Sequence, residues 1–141
     1  MESNHNLDTP WWTLRIALGL TAFLAGADKF LNLLADWTTY LSPIVSRLVD
    51  AGLFMRAVGV IEMTAGLLLL AGLTRLGGYI VSAWLVGIAL NLLTTGQYFD
   101  VAVRDLVMAC AAFSLAKLSE LREPEGSTAR QHQTAHLAAA R

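Results

Sequence analysis

The sequence predicts an all-α fold: an integral membrane four-helix bundle in up-down order, with a short amphipathic helix in its first outer loop. Three observations lead there. Hydrophobic residues make up 55% of the 141 positions and charged residues only 15%, with a mean hydropathy of +0.53, too apolar for an ordinary soluble domain. Four apolar stretches approach the roughly 20 helical residues that cross a hydrocarbon core of about 30 Å. The later stretches are joined by only a few residues, which makes consecutive helices antiparallel neighbours.

The first span is predicted over 12–34, preceded by a short cytoplasmic segment, 1–10. That segment has no Lys or Arg, and no small-residue cleavage site follows the apolar run, so a retained helix is expected rather than a signal peptide. In the loop that follows, Ser42 is an N-cap, Pro43 the first helical position and Gly52 a stop. Ile44, Val45, Leu48 and Val49 give this segment an apolar face that would lie on the outer surface. The second span is predicted over 53–73, the third over 76–93 and the fourth over 101–118. Thr74-Arg75, with Gly77-Gly78 following, and Thr94-Thr95-Gly96-Gln97 supply the turns between them. Residues 119–141 are rich in Glu, Ser, Thr, Gln and Ala without apolar periodicity, which predicts a disordered cytoplasmic tail.

Four spans put both termini on one side, with Arg75, Lys117, Arg122, Arg130 and Arg141; the other side has Arg47 and Arg56. The positive-inside rule makes the first side cytoplasmic, as expected for a multi-pass protein of a bacterial-type inner membrane. Trp11, Trp12 and Tyr79 then mark the cytoplasmic interface and Trp37, Tyr40 and Tyr98 the outer one, with Trp84 in the core.

Ten basic against 11 acidic residues leave no polybasic surface for nucleic acid. The single cysteine, Cys110, excludes an intramolecular disulfide or CxxC pair and is expected to pack between helices. His132 and His136 are four apart, but no thiol or carboxylate is placed to complete a site, so no metal is predicted.

An ionised side chain at the bilayer centre costs about 2.5–3.5 kcal/mol, so charges inside the spans need a reason. Arg15, Asp28, Lys29, Arg56, Glu62, Arg104 and Asp105 fall within or at the ends of the spans, with Asn91 and Gln97. Helical spacing places Arg15, Gly19, Ala22, Gly26 and Lys29 on one line, Gly59, Glu62 and Gly66 on another, and Asp105, Ala109, Ala112 and Ala116 on a third. Small residues line the contact faces of membrane helices, so Gly19, Gly26, Gly59 and Gly66 are expected to pack and the charges beside them to face the bundle. Depth counting gathers Lys29, Glu62, Asn91, Arg104 and Asp105 in the outer half, while Arg15, at the cytoplasmic end, is expected to snorkel. Two readings follow. The charges staple helices together, or Lys29, Arg56, Glu62, Asn91, Arg104 and Asp105 line a polar cavity that binds a ligand or handles protons.

The run R-x3-G-x6-G-x2-K-F from Arg15 to Phe30, V-G-V-I-E-x3-G-L-L-L-L from Val58 to Leu70, and Arg104-Asp105 opening the last helix resemble the DoxX family of small four-helix membrane proteins. The resemblance covers residues 11–118, and puts Arg15, Gly26, Lys29, Glu62, Gly66 and Asp105 on the family's recurring positions. It implies a membrane subunit of a quinone-linked oxidoreductase system, as in the thiosulfate-oxidising DoxD branch, or an associate of redox-defence enzymes. Quinone is then the one expected cofactor, and a partner oxidoreductase subunit or a second copy of the chain the expected partner. In such a site Glu62 would accept or pass a proton and Lys29 or Arg104 would stabilise an oxyanion. A stand-alone enzyme is not expected: the spans hold no His for haem, no paired cysteines and no Gly-rich nucleotide loop. The rival expectation is a non-catalytic anchor or assembly scaffold. A transporter is disfavoured by the lack of an inverted repeat or broken helix pair.

Overall fold

The computed structural model describes the backbone of residues 5–139 and the side chains of residues 7–122. Among the described residues it is all-helical: α1 (His5–Leu31), a 3-10 turn (Trp37–Tyr40), α2 (Pro43–Ser46), α3 (Ala51–Leu70), α4 (Thr74–Thr94) and α5 (Phe99–Ala139). Two of these, α3 and α4, are long and apolar enough to cross a membrane.

The helix boundaries differ from the sequence expectation where local chemistry decides. Helix α1 starts at His5 and contains Pro10 as its sixth residue, where the missing N–H leaves the Asn6 carbonyl without its i+4 partner. It stops at Leu31, short of 34, because Asn32 turns left-handed (φ 50°) and the Asp28 carboxylate accepts the N–H groups of Leu33 (2.9 Å) and Leu34 (3.1 Å). Ser42 does cap α2, accepting from Ile44 N at 3.3 Å, but the helix is one turn long and the chain beyond it folds as turns on the Val45 carbonyl.

The α3–α4 connection falls earlier than Thr74-Arg75. Gly72 (φ 101°) takes the left-handed position, Gly72 N bonds to Leu69 O (3.2 Å) and Leu73 N to Leu68 O (3.0 Å), the paired bonds of a Schellman stop. Gly77 and Gly78 therefore lie inside α4, where Gly78 meets α5: a methyl there would stand 2.9 Å from Ala112 O. At the other end α5 continues as helix to Ala139, through the segment whose composition predicts a disordered tail. Ala, Leu, Glu, Gln and Arg are good helix formers, and extending an existing helix avoids the cost of nucleation. Its 41 residues correspond to roughly 60 Å, about twice the thickness of a hydrocarbon core.

Most contacts lie within two antiparallel pairs, α1 with α3 and α4 with α5; α3 touches α4 and α1 touches α5 along shorter seams. Glycines set the first pair. A methyl on Gly26 would stand 2.6 Å from Gly59 O, and one on Gly66 would stand 2.6 Å from Gly19 O, so the backbones meet with no side chain between them. The four helices share a core around Leu18, Ala65, Leu69, Val81, Ala112 and Leu115. The outer surface is apolar as well: Leu24 on α1 is 57% exposed, Leu53 on α3 69%, Leu90 on α4 57% and Val107 on α5 63%.

Arg15 departs from the snorkelling expectation. Its Nε donates to Leu69 O (3.0 Å) and its Nη2 to Leu70 O (2.6 Å), the carbonyls that the end of α3 leaves exposed. The guanidinium also lies against the Trp11 and Trp12 rings, at 5.0 and 4.7 Å from their centroids. Arg15→Met keeps the stem and removes these contacts. The variant should unfold about 1.5–3 kcal/mol more readily in detergent, the range for hydrogen bonds that involve a charged group, and an unchanged unfolding curve would exclude the capping role.

Candidate functional site: a buried charged centre between α1 and α3

Lys29 and Glu62 come from the facing surfaces of α1 and α3, each three residues after a glycine of the Gly26–Gly59 contact and, because the helices are antiparallel, on opposite sides of it. Their side chains are 5% and 8% exposed, and Lys29 Nζ donates to Glu62 Oε2 at 2.5 Å. The close backbone approach the glycines allow lets the long Lys29 side chain run along the contact to the Glu62 carboxylate. Two indoles enclose the pair. The Lys29 ammonium sits 3.9 Å from the centroid of the Trp37 ring, and Trp84 of α4 gives Glu62 Oε1 a long hydrogen bond of 3.5 Å.

Trp37 is held there by Asp28, whose Oδ2 accepts its Nε1–H at 2.7 Å. Asp28 is buried, and the same carboxylate that ends α1 thus folds the following turn back over Lys29. Neither Trp37, read from sequence as an outer-interface residue, nor Trp84, read as plain core, was legible as part of this centre. Trp37 arrives through a left-handed turn at Asn32 that no periodicity encodes.

The remaining candidates are dispersed. Asp105, on α5, is buried and within electrostatic reach of Lys29. Its direct ion-pair partner is Arg104, at 3.6 Å, whose own side chain is 65% exposed. Asn91 does not join the charges: its Oδ1 accepts from Ser42 N (3.1 Å) and its Nδ2 donates to Tyr40 O (2.8 Å), pinning the first loop to α4. Thr94 Oγ1 adds a bond to Ser42 Oγ at 2.9 Å. Arg56 is exposed on α3 and joins no ion pair among the described residues. Gln97 is exposed in the α4–α5 turn, donating its N–H to Thr95 Oγ1. The expected single cavity lined by all six residues is therefore replaced by one closed ion pair, a nearby buried carboxylate and a separate loop clip.

The opposite end of the helices carries a second polar set. Trp11, buried against the other helices, donates to Ser119 Oγ (2.8 Å), and Ser119 Oγ lies 2.8 Å from each of two acceptors for its one hydrogen, Thr74 Oγ1 and Leu115 O. Glu120 accepts from Tyr79 (2.7 Å) and Lys117 (3.0 Å), and these bonds hold its carboxyl below the usual range. Trp11, α4 and the start of the α5 extension are thereby tied together.

Cys110 is exposed on α5, not packed, as its offset of roughly 140° from the inward-facing Asp105 requires. No group of three potential metal-ligating residues occurs among the described residues, and the side chains of His132 and His136 lie outside them. No family model, curated protein or solved structure matches the chain.

Proposed function

We propose that the chain is a DoxX-like multi-pass protein of a bacterial-type inner membrane, in which α1, α3, α4 and α5 cross as a four-helix bundle with cytoplasmic termini. Its work is that of a membrane anchor and assembly subunit for a partner oxidoreductase. The observation that carries this reading is the Lys29–Glu62 pair, which is buried, closed on itself and covered by Trp37 and Trp84. A buried pair so enclosed fixes helix register and offers no free group to a ligand. The exposed apolar side chains on all four long helices support the membrane placement, and the length of α5 supports an arm reaching beyond the bilayer.

One observation favours a second reading. Asp105 is buried, lies near Lys29 and relies on an exposed Arg104, an arrangement suited to proton exchange with a bound quinone. Titration of the purified full-length chain with decylubiquinone, followed by quenching of tryptophan emission, separates the two. The anchor reading expects no saturable quenching, and expects a chain ending at Arg122 to stay in the membrane while losing its co-purifying subunits. Saturable quenching that disappears in Asp105→Asn would overturn it in favour of the quinone site.

A further inference from the structure

An open apolar groove of about 480 Å³ runs along the outer side of the α1/α3 contact, bordered by Phe30 and Leu31 of α1 and by Val60, Met63, Thr64 and Leu67 of α3. Its size is within the roughly 300–1,000 Å³ of ligand sites. Its chemistry is narrow: the one hydroxyl, Thr64 Oγ1, already donates to Val60 O at 2.8 Å, so the walls offer no free hydrogen-bond donor to a carbonyl-bearing ligand.

Arg56 supplies the missing polar element. It precedes Val60 by one helical turn, and Arg56, Val60, Met63 and Leu67 fall within about 40° of one line on the α3 surface. Position 56 therefore lies about 6 Å along the α3 axis beyond Val60, level with the end of α1 at Leu31, on the line that leads out of the groove. Arg56 is exposed and has neither a hydrogen bond nor an ion pair among the described residues. The two acids nearest in sequence are both engaged: Asp50 caps α3, accepting from Leu53 N at 2.8 Å, and Glu62 is paired with Lys29. A fixed cation at the interface end of an apolar channel is complementary to an anion carrying an alkyl chain.

We infer that the α1/α3 groove is a binding site for an anionic phospholipid, with the headgroup phosphate on Arg56 and one acyl chain along Val60, Met63 and Leu67. A guanidinium matches the phosphate geometrically, and the groove takes the chain without any polar group being left unpaired. The inference rests on the membrane placement proposed above.

The test is native mass spectrometry of the purified full-length protein in detergent, titrated with dioleoylphosphatidylglycerol, dioleoylphosphatidylcholine or inorganic phosphate. One phosphatidylglycerol should be retained in preference to phosphatidylcholine. Arg56→Gln should weaken that preference about fivefold, what one basic residue contributes at an anionic surface. Val60→Trp, which fills the groove at an exposed position, should reduce retention of both lipids. Equal retention of the two lipids, no effect of Arg56→Gln, displacement by inorganic phosphate, or a dimer that excludes lipid each overturns the site. Partition of the chain after alkaline washing of membranes is read separately: release into the wash would overturn the membrane placement itself, whereas a retained chain without lipid preference overturns the groove alone.

Discussion

Gly26→Leu should abolish the native α1/α3 pairing, and Gly26→Ala should weaken it by about 2 kcal/mol. Even a single methyl at position 26 would stand 2.6 Å from Gly59 O and 2.8 Å from Met63 N, so the neighbour that must move is backbone. Overpacking of this kind costs roughly 1–3 kcal/mol or more, which exceeds the gain of up to about 1 kcal/mol in helix propensity on replacing glycine. Gly87→Ala is the control, because a methyl there has nothing within 4 Å. It should be neutral or slightly stabilising. Thermal unfolding in detergent, followed by circular dichroism, compares the three variants. If Gly26→Ala behaves like Gly87→Ala, the close approach is not what holds α1 on α3.

The second large effect concerns the ion pair. Lys29→Met and Glu62→Leu should each destabilise the fold by about 3–5 kcal/mol, because each leaves one charge buried without its partner. The double variant removes both charges and should recover to within about 1 kcal/mol of the native chain. The signature is a strongly non-additive cycle in equilibrium unfolding. Single variants as stable as the native chain would mean that water or lipid headgroups already solvate the pair, contrary to its burial. Trp84→Phe, which removes only the 3.5 Å bond to Glu62, should change stability far less than either.

Much of this architecture could be read in the sequence because it rests on periodicity. Spacings of three and four residues put Gly19, Gly26 and Lys29 on one face and Gly59, Glu62 and Gly66 on another, and these are the residues found at the α1/α3 contact. What periodicity does not carry is where a helix stops and which way the chain leaves it. Helical spacing points Asp28 away from the bundle line, towards the outer interface or a neighbour, but does not say that it accepts backbone N–H groups and the Trp37 indole and so places an aromatic lid over Lys29. Asn91 was grouped with the charges by depth alone, and its actual partners, Tyr40 and Ser42, come from a loop whose path depends on that same turn. The face of α1 that carries Arg15 follows from spacing, but its acceptors are backbone carbonyls at the end of α3, which have no signature in a pattern of side chains.

The division into two antiparallel pairs bears on how such a chain is made. The first pair, α1 with α3, precedes α4 and α5 in the order of translation, and it contains both Lys29 and Glu62. The second pair contains both Arg104 and Asp105. In the membrane placement proposed above, each hairpin would carry the partner of its own buried charge as it moves laterally from the insertion machinery into lipid. Neither has to wait, with a naked charge in hydrocarbon, for the other to be translated. Separating Lys29 from Glu62 by exchanging α3 and α5 in the gene would destroy that property while keeping every residue.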